Sequence, residues 1–138
     1  MTDQFNPKHG PVTAIPFAKS NLTTGESNTD LVLAGTGTLV CAPKAGSVVG
    51  LSLRATAAIT AGTITARTHK AGTEFAETGY PSAVLSSTAR ESYAVVRPRA
   101  LRFAAGDTLG LSVTTTTTLD PTDTNDVDAL LFVVFDPD

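Results

Sequence analysis

Only two side chains in this 138-residue sequence, His9 and His69, could serve as bases near neutral pH. His9 sits in a Pro- and Gly-containing stretch that would not hold a catalytic geometry. His69 ends a strand-like segment on its polar side, which reads as a solvated or locally bonded histidine. Nothing matches the Gly-x-Ser-x-Gly elbow, the His-Glu-x-x-His zinc motif or the phosphate-cradling loop. Gly35-Thr36-Gly37 is too short for a dinucleotide fingerprint and opens no helix. Asp120, Asp123, Asp126 and Asp128 crowd one loop and could offer hard oxygen ligands to calcium. Their spacing misses the helix-loop-helix calcium pattern, and Asp side chains in loops commonly bond nearby backbone amides instead. Arg97, Arg99 and Arg102 flank Pro98 and could meet acidic groups on a partner protein, although a solvated strand end is the simpler account. Cys41 is the single cysteine, which excludes an intrachain disulfide and cysteine-rich zinc sites, and it reads as a small buried hydrophobe. These residues imply no enzyme, no cofactor and no resident metal.

The elements that would position these side chains are strands. About one residue in six is Thr, with 11 Gly, 8 Pro and no Trp, a mixture that favours strands and turns over helices. Hydrophobic residues make up 41% of the chain, enough for a core, while charged residues reach only 17%. One domain fits the length. The net charge of −3 and a pI near 5.2 argue against nucleic acid, whose binding draws on Lys and Arg. The N-terminus lacks an apolar signal-peptide core, and the longest apolar run, residues 129–135, is too short to span a bilayer. The expectation is a soluble chain made in a reducing host cytoplasm, with no membrane partner.

Residues 1–29 read as an N-terminal arm and linker, with a short extended piece over residues 12–17. Residues 30–138 read as strand, turn, strand. Val49, Leu51 and Leu53 alternate with Gly50, Ser52 and Arg54, and Ile64, Ala66 and Thr68 with Thr65, Arg67 and His69. Leu109, Leu111 and Val113 repeat the pattern, and the Thr114–Thr118 run is expected to continue that strand. Pro43-Lys44-Ala45-Gly46, Thr60-Ala61-Gly62, Ala71-Gly72-Thr73 and Ala105-Gly106-Asp107 read as turns. Residues 74–88 are the least legible: residues 83–85 could form a strand after Tyr80-Pro81, and residues 82–90 are the one window that could make a short helix. Some eight strands with turns at short intervals predict an all-β, antiparallel β-sandwich (jelly roll) with an extended N-terminal arm.

The last strand, residues 127–135, carries the strongest functional signal. Val127, Ala129, Leu131, Val133 and Phe135 share one face, yet Leu130, Phe132 and Val134 make the other face apolar too. A sandwich strand should show water one polar face. The second face is covered either by a loop or the arm, or by a subunit interface near a symmetry axis. The low charge content favours the interface, built on Leu130, Phe132 and Val134.

Several segments resemble a family of small phage virion proteins with a trimeric jelly-roll domain, of the head-decoration or head-fibre kind. They are Pro43-Lys44-Ala45-Gly46-Ser47-Val48-Val49-Gly50-Leu51-Ser52-Leu53, Thr60-Ala61-Gly62-Thr63-Ile64-Thr65-Ala66, Phe103-Ala104-Ala105-Gly106-Asp107-Thr108-Leu109 and Asp126-Val127-Asp128-Ala129-Leu130-Leu131. Ala71-Gly72-Thr73 stands where such sequences often have Asn-Gly-Thr. The same architecture occurs in tumour-necrosis-factor-like and complement-like trimers. The resemblance implies a homotrimer on a phage capsid surface that binds the major capsid protein and stabilises the shell. It carries no catalytic residues. Within that reading, Val12, Ile15 and Phe17 are the candidate capsid-binding residues of the arm. The alternative is a tail or fibre head, or a carbohydrate-binding module for host attachment, for which Tyr80 and Tyr93 are the available stacking aromatics.

Overall fold

The computed structural model describes residues 11–33, 37–70, 73–74, 82–96 and 99–137. Among these residues every regular element is a strand. In chain order they are β1 (Val12–Leu22), β2 (Thr29–Asp30), β3 (Val32–Leu33), β4 (Val40–Cys41), β5 (Gly46–Ala55) and β6 (Ile64–Lys70). Then follow β7 (Thr73–Glu74), β8 (Ser82–Leu85), β9 (Glu91–Val95), β10 (Leu101–Phe103), β11 (Thr108–Thr115) and β12 (Asn125–Phe135). All pairings are antiparallel and fall into two sheets, the β-sandwich the sequence predicts.

The first sheet runs β10-β5-β12-β1-β3, with β9 beside β10 on the same edge of β5. The second runs β2-β11-β6-β7, with β4 also on β11 and β8 also on β6. Successive strand residues point to opposite faces, so apolar residues at every second position line one side. Val127, Ala129, Leu131 and Val133 of β12 meet Leu51, Leu53 and Ala55 of β5 inside the sandwich. Leu109, Leu111 and Val113 of β11 close the core from the second sheet with Ile64 and Ala66 of β6.

Four local expectations change. The β5–β12 ladder shifts register between Phe132 and Val133, and Val48, not Val49, turns into the core. The Thr run leaves the strand after Thr115, because Thr116 donates its amide to Thr63 and begins a turn closed by Leu119. Over residues 82–90 the strand reading of residues 83–85 holds as β8, and a tight turn in which Ser86 and Ala89 exchange backbone bonds takes the place of the helix. Finally, the extended piece in the arm is longer than residues 12–17. It is the eleven-residue β1, an integral strand between β12 and β3.

Candidate functional site

The outward side of the first sheet is the most unusual surface of the molecule. Residues opposite the core-facing set on β1 are Val12, Ala14, Pro16 and Ala18, all exposed. In register with them stand Val134, Phe132, Leu130 and Asp128 of β12. Gly50, Ser52 and Arg54 of β5 come next, then Val95, Tyr93 and Glu91 of β9. The surface is therefore apolar across four strands, and it becomes charged only towards Arg54, Glu91, Asp128 and Lys19. Contiguous exposed apolar surface of this kind, rimmed by charged residues, marks interaction sites.

Its relief is set by side-chain size. Tyr93 and Val95 stand up on one margin, each 74% exposed. Gly50 and Ser52 form a trough beside them. A Cβ on Gly50 would lie 2.7 Å from the carbonyl oxygen of Ala94, so the close approach of β9 to β5 requires glycine there. Next to that trough, Pro16, Ala18, Ser20, Val32 and Leu130 border a groove of about 830 Å³ that reaches Ser52 and Arg54 of β5, with Lys19 and Asp128 around it. Ala18 and the two serines are short, which leaves the groove open. Pro16 is tolerated because β3 pairs β1 only through Phe17 and Ala18, leaving the neighbouring edge without a described partner strand.

The sequence-derived residues divide on this surface. Leu130 is exposed and Phe132 half-buried on the open side, whereas Val134 is 7% exposed and buried within its own chain. Val12 is 60% exposed; Ile15 packs against the core, and Phe17 lies inside it at 3%. Phe17 therefore anchors β1 and offers no surface to a partner. Tyr93 and Val95 join the same side, although their sequence context gives no sign of it. In β9 the large residues face outward and the small Ser92 and Ala94 face inward, the reverse of an ordinary half-buried strand.

The remaining chemical candidates are accounted for locally. His69 is buried, with Nε2 2.5 Å from the Ser112 hydroxyl oxygen, and its Nδ1 has no partner among the described residues. The pair resembles a base and nucleophile, but Ser112 is fully buried and none of the three principal cavities reaches it. Asp120 accepts a 2.7 Å hydrogen bond from the Thr60 hydroxyl, and Asp126 accepts one of 2.9 Å from the Asn21 amide. No three His, Cys, Asp or Glu among the described residues gather as a metal site. Arg102 donates two hydrogen bonds to Asp136, at 2.8 and 2.6 Å, tying β10 to the end of β12. That contact, with the charges of Arg99 and Lys44, holds the Asp136 carboxyl below its ordinary value, against a smaller desolvation effect. Cys41 is exposed rather than buried, its thiol 3.7 Å from the Gly106 carbonyl oxygen. His9, Tyr80 and Arg97 lie outside the described residues.

No protein-family model matches the chain, and no curated protein does. Among solved structures, the chain is similar to one in the acidic stable capsid of Helicobacter pylori bacteriophage KHP30, at 12% identity and TM-score 0.49, covering 91% of this chain and 89% of that one. It is similar to a chain of the cyanophage Pam1 capsid asymmetric unit, at 15% identity and TM-score 0.48, covering 92% and 86%. It is also similar to Eiger TNF from S. frugiperda, at 14% identity and TM-score 0.29, covering 88% and 92%.

Proposed function

We propose that this protein is a structural component of a phage particle: a homotrimeric decoration protein that binds the major capsid protein and stabilises the head shell. The observation that carries the proposal is the apolar outer side of the first sheet, centred on Leu130, Phe132, Tyr93 and Val95. Sister copies cover that surface in the assembly. The motif resemblance from residue 43 to the C-terminus supports the same reading. The mechanism is multivalent. Each copy contributes one weak contact to a different shell subunit, and linkage within the trimer raises the effective concentration of the others. Capsid contact falls to residues 1–10 and Val12, because Ile15 and Phe17 hold β1 to the core.

Mixing the purified protein with heads that lack it and sedimenting the shells tests the proposal. Saturable binding together with greater resistance of the shells to heat supports it. Heads that neither bind nor gain resistance overturn it. The exposed Tyr93 favours one competing reading, a host-attachment module that stacks sugars on this ring, and specific glycan-array binding lost in Tyr93→Ala would establish that instead.

A further inference from the structure

Resting on the shell-binding reading above, we infer that Arg99, flanked by Lys44 and Arg102, docks this protein on a carboxylate-rich patch of the shell subunit. The site lies at the end of the first sheet where Val12 begins β1. Val12 pairs with Val134, Val134 with Ser47, and Ser47 with Arg102, so one row of residues crosses four strands from β1 to β10. Three strand spacings make that row about 14 Å wide. The Arg99 amide donates to the Ser47 hydroxyl oxygen at 3.2 Å, which sets Arg99 on the same row. The basic residues therefore stand at the end of the sandwich that holds Val12, the described part of the proposed capsid contact.

Charge gathers at this end. Arg102 donates to both Asp136 oxygens, and the Lys70 Nζ donates to the Arg102 carbonyl oxygen at 3.2 Å. The Asp136 amide donates to the Ala45 carbonyl oxygen at 2.9 Å, which brings the β4–β5 turn and Lys44 alongside. Arg99 and Lys44 both act electrostatically on the Asp136 carboxyl. Arg102 engages both oxygens of that carboxyl, and the exposed Arg99 guanidinium has no hydrogen-bond partner among the described residues.

The backbone singles out Arg99 independently. Its φ is 70°, in the left-handed region that crowds a Cβ. Its amide is anchored on Ser47, which is only 3% exposed. Strain of this kind collects where the position of a side chain matters, and glycine at the same place would relieve it. A guanidinium meets a carboxylate as a flat fork, through two parallel N–H bonds. A nucleic-acid backbone is the poorer partner, because the chain as a whole carries a net charge of −3.

Sedimentation of the full-length protein with heads that lack it, at low and at high ionic strength, tests this contact. The variants are Arg99→Glu and Arg99→Gly, and Arg67→Glu places a charge reversal on the other sheet. The inference expects wild-type binding to weaken as salt rises. At low salt both Arg99 variants should bind about tenfold more weakly than wild type, with Arg67→Glu unchanged. Arg99→Gly should also melt at or above the wild-type temperature, because it sheds the strained φ, and this separates docking from folding. Arg99 variants that bind heads as wild type does, or wild-type binding indifferent to salt, overturn the contact and leave the shell-binding reading standing. An Arg99→Gly protein that melts well below wild type overturns it too, since Arg99 would then serve the fold. A duplex DNA fragment retained by wild type and released by Arg99→Glu makes the partner a nucleic acid and overturns the carboxylate patch. A wild type that binds no heads overturns both readings.

Discussion

Tyr93 is where side-chain chemistry and position disagree most. A strand with Ser92 and Ala94 inward and Tyr93 and Val95 outward has put its hydrophobic side in water. Period-two alternation identifies β9 as a strand but cannot say which side faces the core, because only the pairing with β5 fixes that. Cys41 is exposed where its residue type suggests burial, while His69 takes the locally bonded form of its two readings, buried on Ser112. Both sit at strand ends, where burial depends on what other segments cross above them. Two predictions belong here. Gly50→Ala pushes a methyl group against the Ala94 carbonyl and should destabilise the fold by about 1–3 kcal/mol, read from urea unfolding; an unchanged midpoint would mean β9 moves aside freely. Asp136→Asn removes the Arg102 clamp. Because the folded-state pKa is lowered, the stabilisation is fully present above the ordinary value of 3.8 and is lost as pH falls through the depressed folded value. The melting-temperature gap between wild type and variant should therefore be constant at neutral pH and close on strong acidification. A gap that persists in acid contradicts the assignment.

At the scale of elements, the long strands were legible. Leu51, Leu53, Leu109, Leu111, Val127 and Leu131 recur at every second position, and a sheet reads that period directly. The expected effect of Leu131→Ala, fully buried at the middle of β12, is a loss of about 2–5 kcal/mol in chemical unfolding, and a loss below 1 would mean that the core there is loosely packed. β1 was only partly legible. Lys19 and Ser20 read as linker beyond the extended piece over residues 12–17, yet Leu22 enters the core with Phe17 and the strand pairs β12 along most of its length. The same polar residues that obscured β1 in sequence face outward in the sheet or line the groove. This separates two truncations that the sequence would treat alike. Removing residues 2–10 should leave a folded oligomer that no longer decorates heads. Removing residues 2–24 should abolish folding, because it strips β12 of its neighbour. Sedimentation with heads and far-UV circular dichroism distinguish them, and full head occupancy by the shorter truncation would contradict the assigned capsid contact.

At the scale of the molecule, the two sheets differ in what they leave to solvent. The outward side of the second sheet is mixed: Thr65 and Arg67 are half-buried, Val84 is exposed, Thr114 bonds Asn28, and His69 and Ser112 are buried against each other. The outward side of the first carries Val12, Ala14, Pro16, Leu130, Tyr93 and Val95. Burying apolar surface gains roughly 25 cal/mol per Å² before the cost of association, so covering this side by sister copies contributes favourably to oligomerisation. Sequence alone pointed to this side through Leu130, Phe132 and Val134, but the width of the surface was out of its reach, because β9 and β1 join it only through pairing across the sheet. The most direct measurement is the mass of the full-length wild-type protein by light scattering across the micromolar range. The account predicts three times the chain mass, stable on dilution to low micromolar; a single-copy mass throughout that range would contradict it.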